Sequence, residues 1–518
     1  MRIPTFIKHA MRCLLFLLGL TPCILSAQFN SIWIGGTSGN LPDQGFGGSL
    51  VRFYPDTTIV EFIEMPADII TSTTTISTSP EALSFYSNNC IIINRNHEIM
   101  EGGDSLWYPT EKNTEEWCGK GYGHSILRRG ILAMPIPDKP EHYIQFYLRY
   151  DTITQFNDFP TTLLTCEVDM TQNSGLGKVI NRKNIVFQDT FADQIDVVRH
   201  GNGRDWWIFI DKVGTNKMWA FLLSPSGISN PVLRDVPAKW DFPPRNYNLF
   251  YSQFSNDGNY YARTDRFLGT QLFKFNRCTA TFSCPKILNV DFTGSGPGSV
   301  AFSLNNRFLY VNNYKELYQF DLYSNDIENS KLLIDTFDGF NDLPPGQLFN
   351  TYFGWQQMMA DGKIYMSGGY NMRYLHVINN PDGYGKSCNF VQRGIKLPTY
   401  AGASLPMFPN FHLYDWDNSP CDTLGIDSPE PERPELPLGE FRLIPNPARE
   451  QVEIVFPEAC GKGEFKVFNS TGYKVKDNVI NMPYSYFVDT HDWPAGIYFV
   501  EFISEKNMRF FKKLAIVH

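Results

Sequence analysis

The stretch Phe302-Ser-Leu-Asn-Asn-Arg-Phe-Leu-Tyr310, followed by Glu316-Leu-Tyr-Gln-Phe-Asp-Leu322, decides the fold of this sequence. Its pattern is a strand, a tight turn at Asn-Asn, a second strand and a third strand. In the third strand the apolar side chains Tyr318, Phe320 and Leu322 alternate with polar ones, so the two kinds point to opposite faces. The stretch therefore predicts a β-hairpin with one more strand beside it.

The same pattern occurs once before and once after this stretch. One copy begins at Phe254 and the other at Met358, so the three copies begin 48 and 56 residues apart. This spacing is typical of a four-stranded propeller blade with generous loops. The two further copies are Phe254-Ser-Asn-Asp-Gly-Asn-Tyr-Tyr261 with Gln271-Leu-Phe-Lys-Phe-Asn276, and Met358-Met-Ala-Asp-Gly-Lys-Ile-Tyr365 with Arg373-Tyr-Leu-His-Val-Ile378.

Composition extends the pattern to the whole region 28–420. Aromatic residues make up 15% of the chain, and no long stretch shows helical periodicity, which favours short strands joined by tight turns. The sequence predicts an all-β chain whose main domain is a β-propeller of about seven blades, with six or eight as the neighbouring counts. A β-solenoid is the alternative, but a closed ring leaves fewer sheet edges exposed.

The C-terminal region 441–518 has its own alternating strands, separated by Gly, Pro and Asn turns. Such alternation predicts a small immunoglobulin-like sandwich of antiparallel strands. The predicted strands lie within Phe441–Phe456, Gly463–Tyr473, Gly496–Phe502 and Phe510–Val517.

Three motifs in this region resemble the type A carboxy-terminal sorting domain of type IX secretion in Bacteroidetes-type bacteria. The domain opens with Pro-Asn-Pro, contains Trp493-Pro-Ala-Gly-Ile-Tyr498, and ends with a basic pair before an apolar end. The resemblance implies that the domain is an export address recognised by the type IX secretion machinery. An ordinary immunoglobulin-like module is the alternative. The residues expected to carry the sorting signal are Pro445, Asn446, Pro447, Gly496, Tyr498, Lys512 and Lys513.

Residues 1–27 have the pattern of a cleaved signal peptide. Basic residues precede the apolar run Leu14–Leu20, and Leu25-Ser-Ala27 supplies small residues at the expected cleavage point. Leu20-Thr-Pro-Cys23 weakly matches a lipoprotein box, in which Pro22 is unfavourable. We expect a mature protein without a transmembrane segment, secreted or held at the outer cell surface after passing through the periplasm.

The charge of the chain argues against a nucleic-acid partner. The formal net charge of −9 becomes −12 when the three basic residues of the signal peptide are removed. Nucleic-acid phosphates require a basic surface, which this balance disfavours.

A segment rich in proline and glutamate, 421–440, separates the two predicted domains. It contains four prolines within Asp427–Gly439 and should form an extended tether that a processing protease reaches. We expect cleavage between Cys421 and Phe441. Two disulfides suit an oxidising compartment, and the sequence suggests Cys278 with Cys284 and Cys388 with Cys421.

Catalytic signatures are sparse, and no catalytic residue can be named. The segment His97-Glu-Ile-Met-Glu101 lacks the second histidine of a zinc protease, and Gly385-Lys-Ser387 lacks the glycine loop of a phosphate site. His200 and Asp205 are five residues apart beside Trp206-Trp207. They predict either an acid–base pair or, preferably, a blade turn closed by hydrogen bonds.

Ligand-binding residues are equally hard to assign. His124 follows a glycine-rich stretch, which favours a turn over a metal ligand. The sequence predicts no cofactor, and calcium on loop aspartates is the one metal considered, although the spacing does not fit a Ca²⁺ loop. Exposed aromatic residues would suit a sugar platform or packing between blades. The aspartates are Asp335, Asp338 and Asp342, and the aromatic residues are Tyr122, Tyr384 and Trp416.

Four segments also resemble secreted propellers that precede sorting domains of this kind, and the resemblance implies architecture and export but no reaction. Two functions remain open. The first is a non-catalytic propeller that binds an extracellular protein or glycan. The second is a propeller hydrolase or lactonase with a metal or paired carboxylates in the central channel. The four segments are Ile32–Gly36, Asn94–Met100, Val168–Val179 and Arg199–Trp207.

Overall fold

A computed structural model gives the architecture of the chain, in which the described residues form 34 strands. None of the described residues belongs to a helix long and apolar enough to cross a bilayer. The predicted signal peptide lies outside the described residues. The structure describes residues 29–41, 45–70, 72–106, 118, 129–150, 159–237, 250–265, 269–292, 298–324, 326–340, 351–368, 372–402, 405–416, 419–424, 442–455, 462–481, 485–504 and 509–517.

Seven antiparallel sheets follow one another in chain order between Ile32 and Ala401, and we number them as blades 1 to 7. Blades 1 to 3 contain β1 (Ile32–Leu41), β2 (Phe46–Phe53) and β3 (Thr58–Ile63); β4 (Thr74–Ser79), β5 (Ala82–Ser87) and β6 (Ile92–Asn94); and β7 (Ile131–Pro135), β8 (His142–Arg149), β9 (Thr162–Asp169) and β10 (Lys178–Gln188).

Blades 4 and 5 continue the series in the same order. They contain β11 (Asp196–Arg199), β12 (Trp206–Asp211), β13 (Lys217–Ser224), β14 (Gly227–Ile228) and β15 (Val232–Asp235); and β16 (Phe250–Phe254), β17 (Tyr260–Asp265), β18 (Gly269–Asn276) and β19 (Thr281–Leu288).

Blades 6 and 7 complete the ring. They contain β20 (Ser299–Phe302), β21 (Phe308–Asn312), β22 (Glu316–Asp321) and β23 (Leu332–Thr336); and β24 (Gln356–Met358), β25 (Ile364–Ser367), β26 (Met372–Ile378) and β27 (Phe390–Ala401). The first strand of a blade lies innermost, because first strands of neighbouring blades contact one another. The prediction of a propeller with about seven blades is confirmed.

Two of the three repeated turns are closed by the same hydrogen bond. In blade 5 the Ser255 hydroxyl accepts a hydrogen bond from the Tyr260 amide at 2.9 Å and donates one to Asp257. In blade 6 the Ser303 hydroxyl accepts from the Phe308 amide, also at 2.9 Å. A serine at the end of the first strand thus closes the hairpin by bonding the backbone that begins the second strand.

Blade 7 packs on blade 1 and closes the ring. The Ser49 and Thr399 hydroxyl oxygens are 2.8 Å apart, and the Thr58 hydroxyl lies 2.9 Å from the Tyr365 hydroxyl. Trp33 belongs to the apolar cluster that these two blades share. This cluster joins residues more than 300 positions apart, so the first and last blades stabilise each other.

Both faces of a blade are buried, because each blade is sandwiched between two others. Gln319 lies on the face opposite Phe320, as the alternation predicted, yet its side chain is buried. Its amide donates to the Tyr310 hydroxyl and to the Gly383 carbonyl, both at 2.8 Å, which satisfies it between blades 6 and 7. A polar position in these strands can therefore mark a contact between blades and not exposure to solvent.

The C-terminal region is a two-sheet sandwich, as predicted. One sheet pairs β28 (Arg442–Ile444), β29 (Gln451–Val455) and β32 (Ser485–Asp489), and the other orders β31 (Lys474–Asn481), β30 (Lys462–Asn469), β33 (Gly496–Ser504) and β34 (Arg509–Ile516). Alternate residues such as Val452, Phe465 and Val500 fill the core between the sheets.

Both predicted disulfides are wrong. Cys278 is bonded to Cys421, across 143 residues, and a second bond joins Cys90 to Cys118. Cys388 is a free, buried thiol. Sequence proximity suggested Cys284 as the partner of Cys278, but the ring brings Cys421 back to the same turn. The predicted domain boundaries stay predictions, and residues 425–441 lie outside the described residues.

Candidate functional site

The segment that leaves blade 7 crosses one face of the ring, and we call residues 405–424 the strap. Its Phe408 packs on the apolar clusters of blades 7 and 3, and Leu413 packs on the cluster of blades 4 and 5. Phe411 lies with its ring centroid 5.0 Å from that of Phe29 and 5.9 Å from that of Trp206. The strap thus spans the ring instead of extending away from it.

Beneath the strap is a small cavity of about 50 Å³ at the centre of the ring. Strap residues Met407, Phe408 and Leu413 cover it, while Asp196 and Arg129 reach it from the inner strands. A cavity of this size holds one or two water molecules, whereas sites for small organic ligands usually measure about 300 to 1,000 Å³.

Asp196 is the central carboxylate of this region, and it is fully surrounded by donors. Its oxygens accept hydrogen bonds from the Ser252 hydroxyl at 2.7 Å, the Gln194 amide at 2.6 Å and the Tyr261 hydroxyl at 2.9 Å. Burial raises the pKa of Asp196, although the charge of Arg129 and the three donors oppose the rise.

Arg129 joins blades that are not neighbours in the ring. Its guanidinium donates to the Ser252 carbonyl at 2.9 Å and lies 3.8 Å from the ring centroid of Tyr251. The Tyr251 hydroxyl in turn donates to the Gln356 carbonyl of blade 7. Inner residues of blades 3, 5 and 7 thus contact one another across the ring. Their side chains therefore fill the central channel. We call Arg129, Asp196, Ser252 and Tyr251 the axial cluster.

No sequence signal identified the axial cluster. Its members are polar residues at or beside the inner strands. Arg129, Asp196 and Ser252 are each more than fifty positions from the next in sequence, and only the closed ring brings them together. A second buried carboxylate, Asp211, lies between blades 4 and 5. Burial raises its pKa to about 7, against the opposing charge of Arg263, and the neighbouring Asp196 raises it further.

A larger groove of about 470 Å³ lies between blades 3 and 4. Lys139 and Glu167 line it, and no hydrogen bond or ion pair joins either side chain to another described residue. Its remaining lining combines an apolar floor with hydroxyl and amide groups. These residues are Ile136, Ile144, Thr165, Asn184, Val186, Leu223, Ser224, Pro225, Ser226, Gly227, Ile228, Ser229, Asn230 and Pro231.

The predicted pair His200 and Asp205 forms the turn between β11 and β12. The His200 amide donates to the Asp205 carbonyl at 2.8 Å, and the His200 Nδ1 accepts from the Asn202 amide at 3.0 Å. The Asp205 carboxylate is bonded by the side chains of Asn202 and Arg204. Burial lowers the pKa of His200. The two side chains serve the turn, which is the structural alternative that the sequence favoured.

This turn also receives the strap. The Trp416 amide donates to the Gly201 carbonyl at 2.7 Å, and the Cys278–Cys421 bond lies against Gly201. A Cβ atom at Gly201 would overlap the Cys421 sulfur. The glycine is therefore required by close approach of the strap.

The residues considered for metal binding have other partners. The Asp338 carboxylate pairs with the Arg393 guanidinium, and Asp335 accepts from the Gln392 amide at 3.0 Å. The His97 Nδ1 lies 3.1 Å from the Tyr86 hydroxyl. No group of three metal-ligating side chains occurs among the described residues. Asp342, His124 and Tyr122 lie outside them.

The exposed aromatic residues do not meet in one platform. Tyr384 is exposed beside Phe308, with 6.1 Å between ring centroids, and Trp416 is half-buried in the strap. These two residues belong to different parts of the ring, so they form no common surface for a sugar.

The structure places the predicted sorting residues on, or bonded to, the neighbouring strands β33 and β34. The side chain of Asn446 donates to the Lys513 carbonyl at 2.7 Å and accepts from the Ala515 amide at 2.9 Å. Pro445 and Pro447 are exposed on either side of it. The opening turn is thus attached to β34, the strand that carries Lys512 and Lys513.

Gly496 and Tyr498 lie on β33, which pairs with β34. Gly496 is opposite Ile516, and Tyr498 is opposite Leu514. The Tyr498 hydroxyl donates to the Pro494 carbonyl at 2.9 Å, which fixes the loop before β33. Two of the motifs therefore meet in one pair of strands, and the third is bonded to β34, although their role in sorting stays a prediction.

Residues 442–517 match a family model described as a secretion system C-terminal sorting domain. No curated protein matches the chain. Among solved structures, it is similar to a periplasmic gluconolactonase of Pseudomonas aeruginosa, with 14% identity over 72% of this chain and 100% of that one and a TM-score of 0.40.

Two further solved structures have comparable similarity. A protein from Lactobacillus plantarum is 11% identical over 72% of this chain and 98% of that one, with a TM-score of 0.41. The Dos1 propeller is 12% identical over 61% of this chain and 72% of that one, with a TM-score of 0.34. The fold assignment rests on the seven sheets of this chain itself. The chain is a secreted β-propeller that carries a C-terminal type IX sorting domain.

Proposed function

We propose that this protein is a non-catalytic binding propeller, delivered to the outer cell surface or the medium by its sorting domain. The observation that carries the proposal is the state of Asp196. Its carboxylate already accepts three hydrogen bonds and lies beneath the strap, beside a cavity of about 50 Å³. A side chain occupied in this way stabilises the ring and leaves no room for a substrate.

The groove between blades 3 and 4 is the better candidate for a ligand. Its size falls in the range of small-ligand sites, and Lys139 and Glu167 offer charges without partners among the described residues. Hydroxyl and amide groups around them suit the hydroxyl groups of a glycan, and the apolar floor suits the C–H face of a sugar ring. We therefore favour an extracellular glycan over a protein as the ligand.

A hydrolase is the second candidate, and one observation favours it. Asp196 and Asp211 both have a raised pKa and lie near the ring centre, as acid–base residues often do. Under this alternative the strap would have to leave its position before a substrate could enter. A catalytic role for Asp196 then predicts activity that Asp196→Asn abolishes.

Binding is tested on an array of immobilised oligosaccharides with the purified full chain. We expect Glu167→Gln and Lys139→Met to weaken binding at least tenfold, because each removes a charged contact in the groove. Glu98→Gln, in the turn of blade 2, is the control and should bind as the unaltered chain does. If both groove variants bind as tightly as the unaltered chain, the groove is not the ligand site. Binding to host proteins but not to any glycan contradicts the proposed ligand class.

Catalysis is tested with gluconolactone as the probe, in the presence and absence of Ca²⁺. The proposal predicts hydrolysis at the rate of buffer alone. A rate above that of buffer, lost in Asp196→Asn, establishes the hydrolase alternative.

Delivery is tested in a bacterium with type IX secretion. Deletion of residues 442–518 should retain the protein in the cell, and the exported product should end between Cys421 and Phe441. Export of the shortened chain would contradict the address function, and a surface protein that retains His518 would contradict the cleavage.

A further inference from the structure

We infer that the Cys278–Cys421 bond is a latch that holds the strap over the ring centre and keeps the axial cluster sealed whether or not the sorting domain is present. Such a latch would act in the same way whatever ligand the propeller binds. The strap follows β27, and its Cys421 is bonded to Cys278, which lies on the turn between β18 and β19.

Side-chain hydrogen bonds hold the strap in addition to its apolar packing and the Trp416–Gly201 hydrogen bond. Arg199 donates to the Phe411 carbonyl at 3.0 Å, and Arg277 donates to the Tyr414 carbonyl at 2.8 Å. The side chain of Asn410 donates to the Asn256 carbonyl at 2.6 Å. Each of these side chains contributes one or two hydrogen bonds, and a segment held by so few can open locally while the rest of the fold stays intact.

The disulfide changes this behaviour because it fixes the far end of the strap to blade 5. With the near end continuous with β27, both ends are then attached to the ring. Opening must now bend the whole strap out between two fixed points. Everything after Leu424 can be removed without touching either point, so loss of the sorting domain leaves the seal in place.

The receiving surface is shaped for this bond. Gly201 lies against both sulfurs. Gly203 has a φ of +72°, and a Cβ atom added to it would lie only 2.6 Å from the Asp415 amide nitrogen. The Gly201-Asn-Gly203 turn thus lets the strap approach its backbone. The two glycines beside His200 and Asp205 are therefore needed for the strap to pack.

Closing the latch is an oxidation. The two thiols lose two protons and two electrons and form one sulfur–sulfur bond, and the electrons pass to the disulfide of a thiol–disulfide oxidoreductase, which becomes a dithiol. We expect this step in the periplasm, before the folded chain is exported.

The test compares the full chain with Cys278→Ser/Cys421→Ser. Two quantities are measured: hydrogen exchange of the Trp416 amide, and the rate at which chymotrypsin cuts after Phe411 or Tyr414. Both should rise at least tenfold in the variant, while amides of β12 keep their protection. Cys90→Ser/Cys118→Ser also removes one disulfide and should leave both quantities unchanged.

Unchanged exchange and cutting in the Cys278→Ser/Cys421→Ser chain would overturn the latch. Should that chain fail to fold, Gly201→Ala carries the same test, because the added methyl group displaces the sulfurs. It should show two extra free thiols and the same tenfold rise. A third arm inserts a protease site within 425–441 of the full chain. Cutting there should not alter strap protection, and a tenfold loss would overturn the independence from the sorting domain.

Discussion

Asp211 and Arg263 form a buried ion pair between blades 4 and 5, with 3.2 Å between Oδ1 and the guanidinium nitrogen. Both side chains are almost inaccessible to solvent. Arg263 also donates to the Gln271 carboxamide oxygen at 2.9 Å and lies 5.2 Å from the ring centroid of Phe273. The pair therefore ties two blades together near the ring centre, where neither charge can be hydrated.

Replacing Arg263 by Met should destabilise the propeller by about 3 to 5 kcal/mol, because it leaves the Asp211 carboxylate buried without its cation. Urea unfolding at pH 8 measures the change, since that pH lies above the raised pKa of Asp211 of about 7. Arg182→Met is the matched control. It breaks the exposed pair with Asp104 and should cost less than about 1 kcal/mol. A loss below about 1 kcal/mol in Arg263→Met would show that the pair contributes little.

His376 should make the stability of the ring depend on pH. Its Nε2–H donates to the Thr351 carbonyl at 3.0 Å, and its Nδ1 accepts from the Arg393 amide at 3.2 Å, so the neutral ring satisfies both nitrogens. Burial lowers its pKa from 6.5 to about 4. The unfolded chain therefore binds a proton between pH 6.5 and 4 that the folded chain does not.

The contribution of His376 to the unfolding free energy should consequently be constant above pH 6.5 and fall as the pH drops toward 4, by up to about 3 kcal/mol. His376→Gln keeps a donor near Thr351 but has no proton to bind, so its chain should lack this part of the fall. Urea titrations at pH 4.5 and 7.5 for both chains give the difference. Parallel losses in the two chains would assign the pH dependence to other groups.

The sequence predicted those parts of the fold whose signals are local. The turns after Phe254, Phe302 and Met358 carry Asp-Gly or Asn-Asn, and each lies in the predicted hairpin of blades 5 to 7. Residues 445–447 likewise form the turn after the first strand of the sandwich. Such features need only neighbouring residues, and for this reason a pattern in the chain is enough to find them.

The strap and the axial cluster could not be predicted in this way. Cys278 and Cys421 are 143 residues apart, and Arg129 reaches Ser252 only because several blades complete a ring between them. Their positions depend on blade count and closure, which no short pattern encodes. Polar residues in inner strands were also indistinguishable from solvent-facing ones, since a blade buries both of its faces.

Asn446 links the opening turn of the sorting domain to β34, and its removal should test whether the predicted motifs act together. Asn446→Ala loses the bonds to the Lys513 carbonyl and the Ala515 amide, so we expect hydrogen exchange at Ala515 to rise about tenfold, as for a loss of about 1 to 2 kcal/mol. The amount of exported protein, measured by immunoblot of medium and cell fractions, should fall in the same variant.

Asn478→Ala is the control, since Asn478 is equally exposed and donates to the Tyr486 hydroxyl at 2.7 Å, away from β34. Normal export of Asn446→Ala despite faster exchange would mean that the secretion machinery recognises Lys512 and Lys513 without the support of the turn.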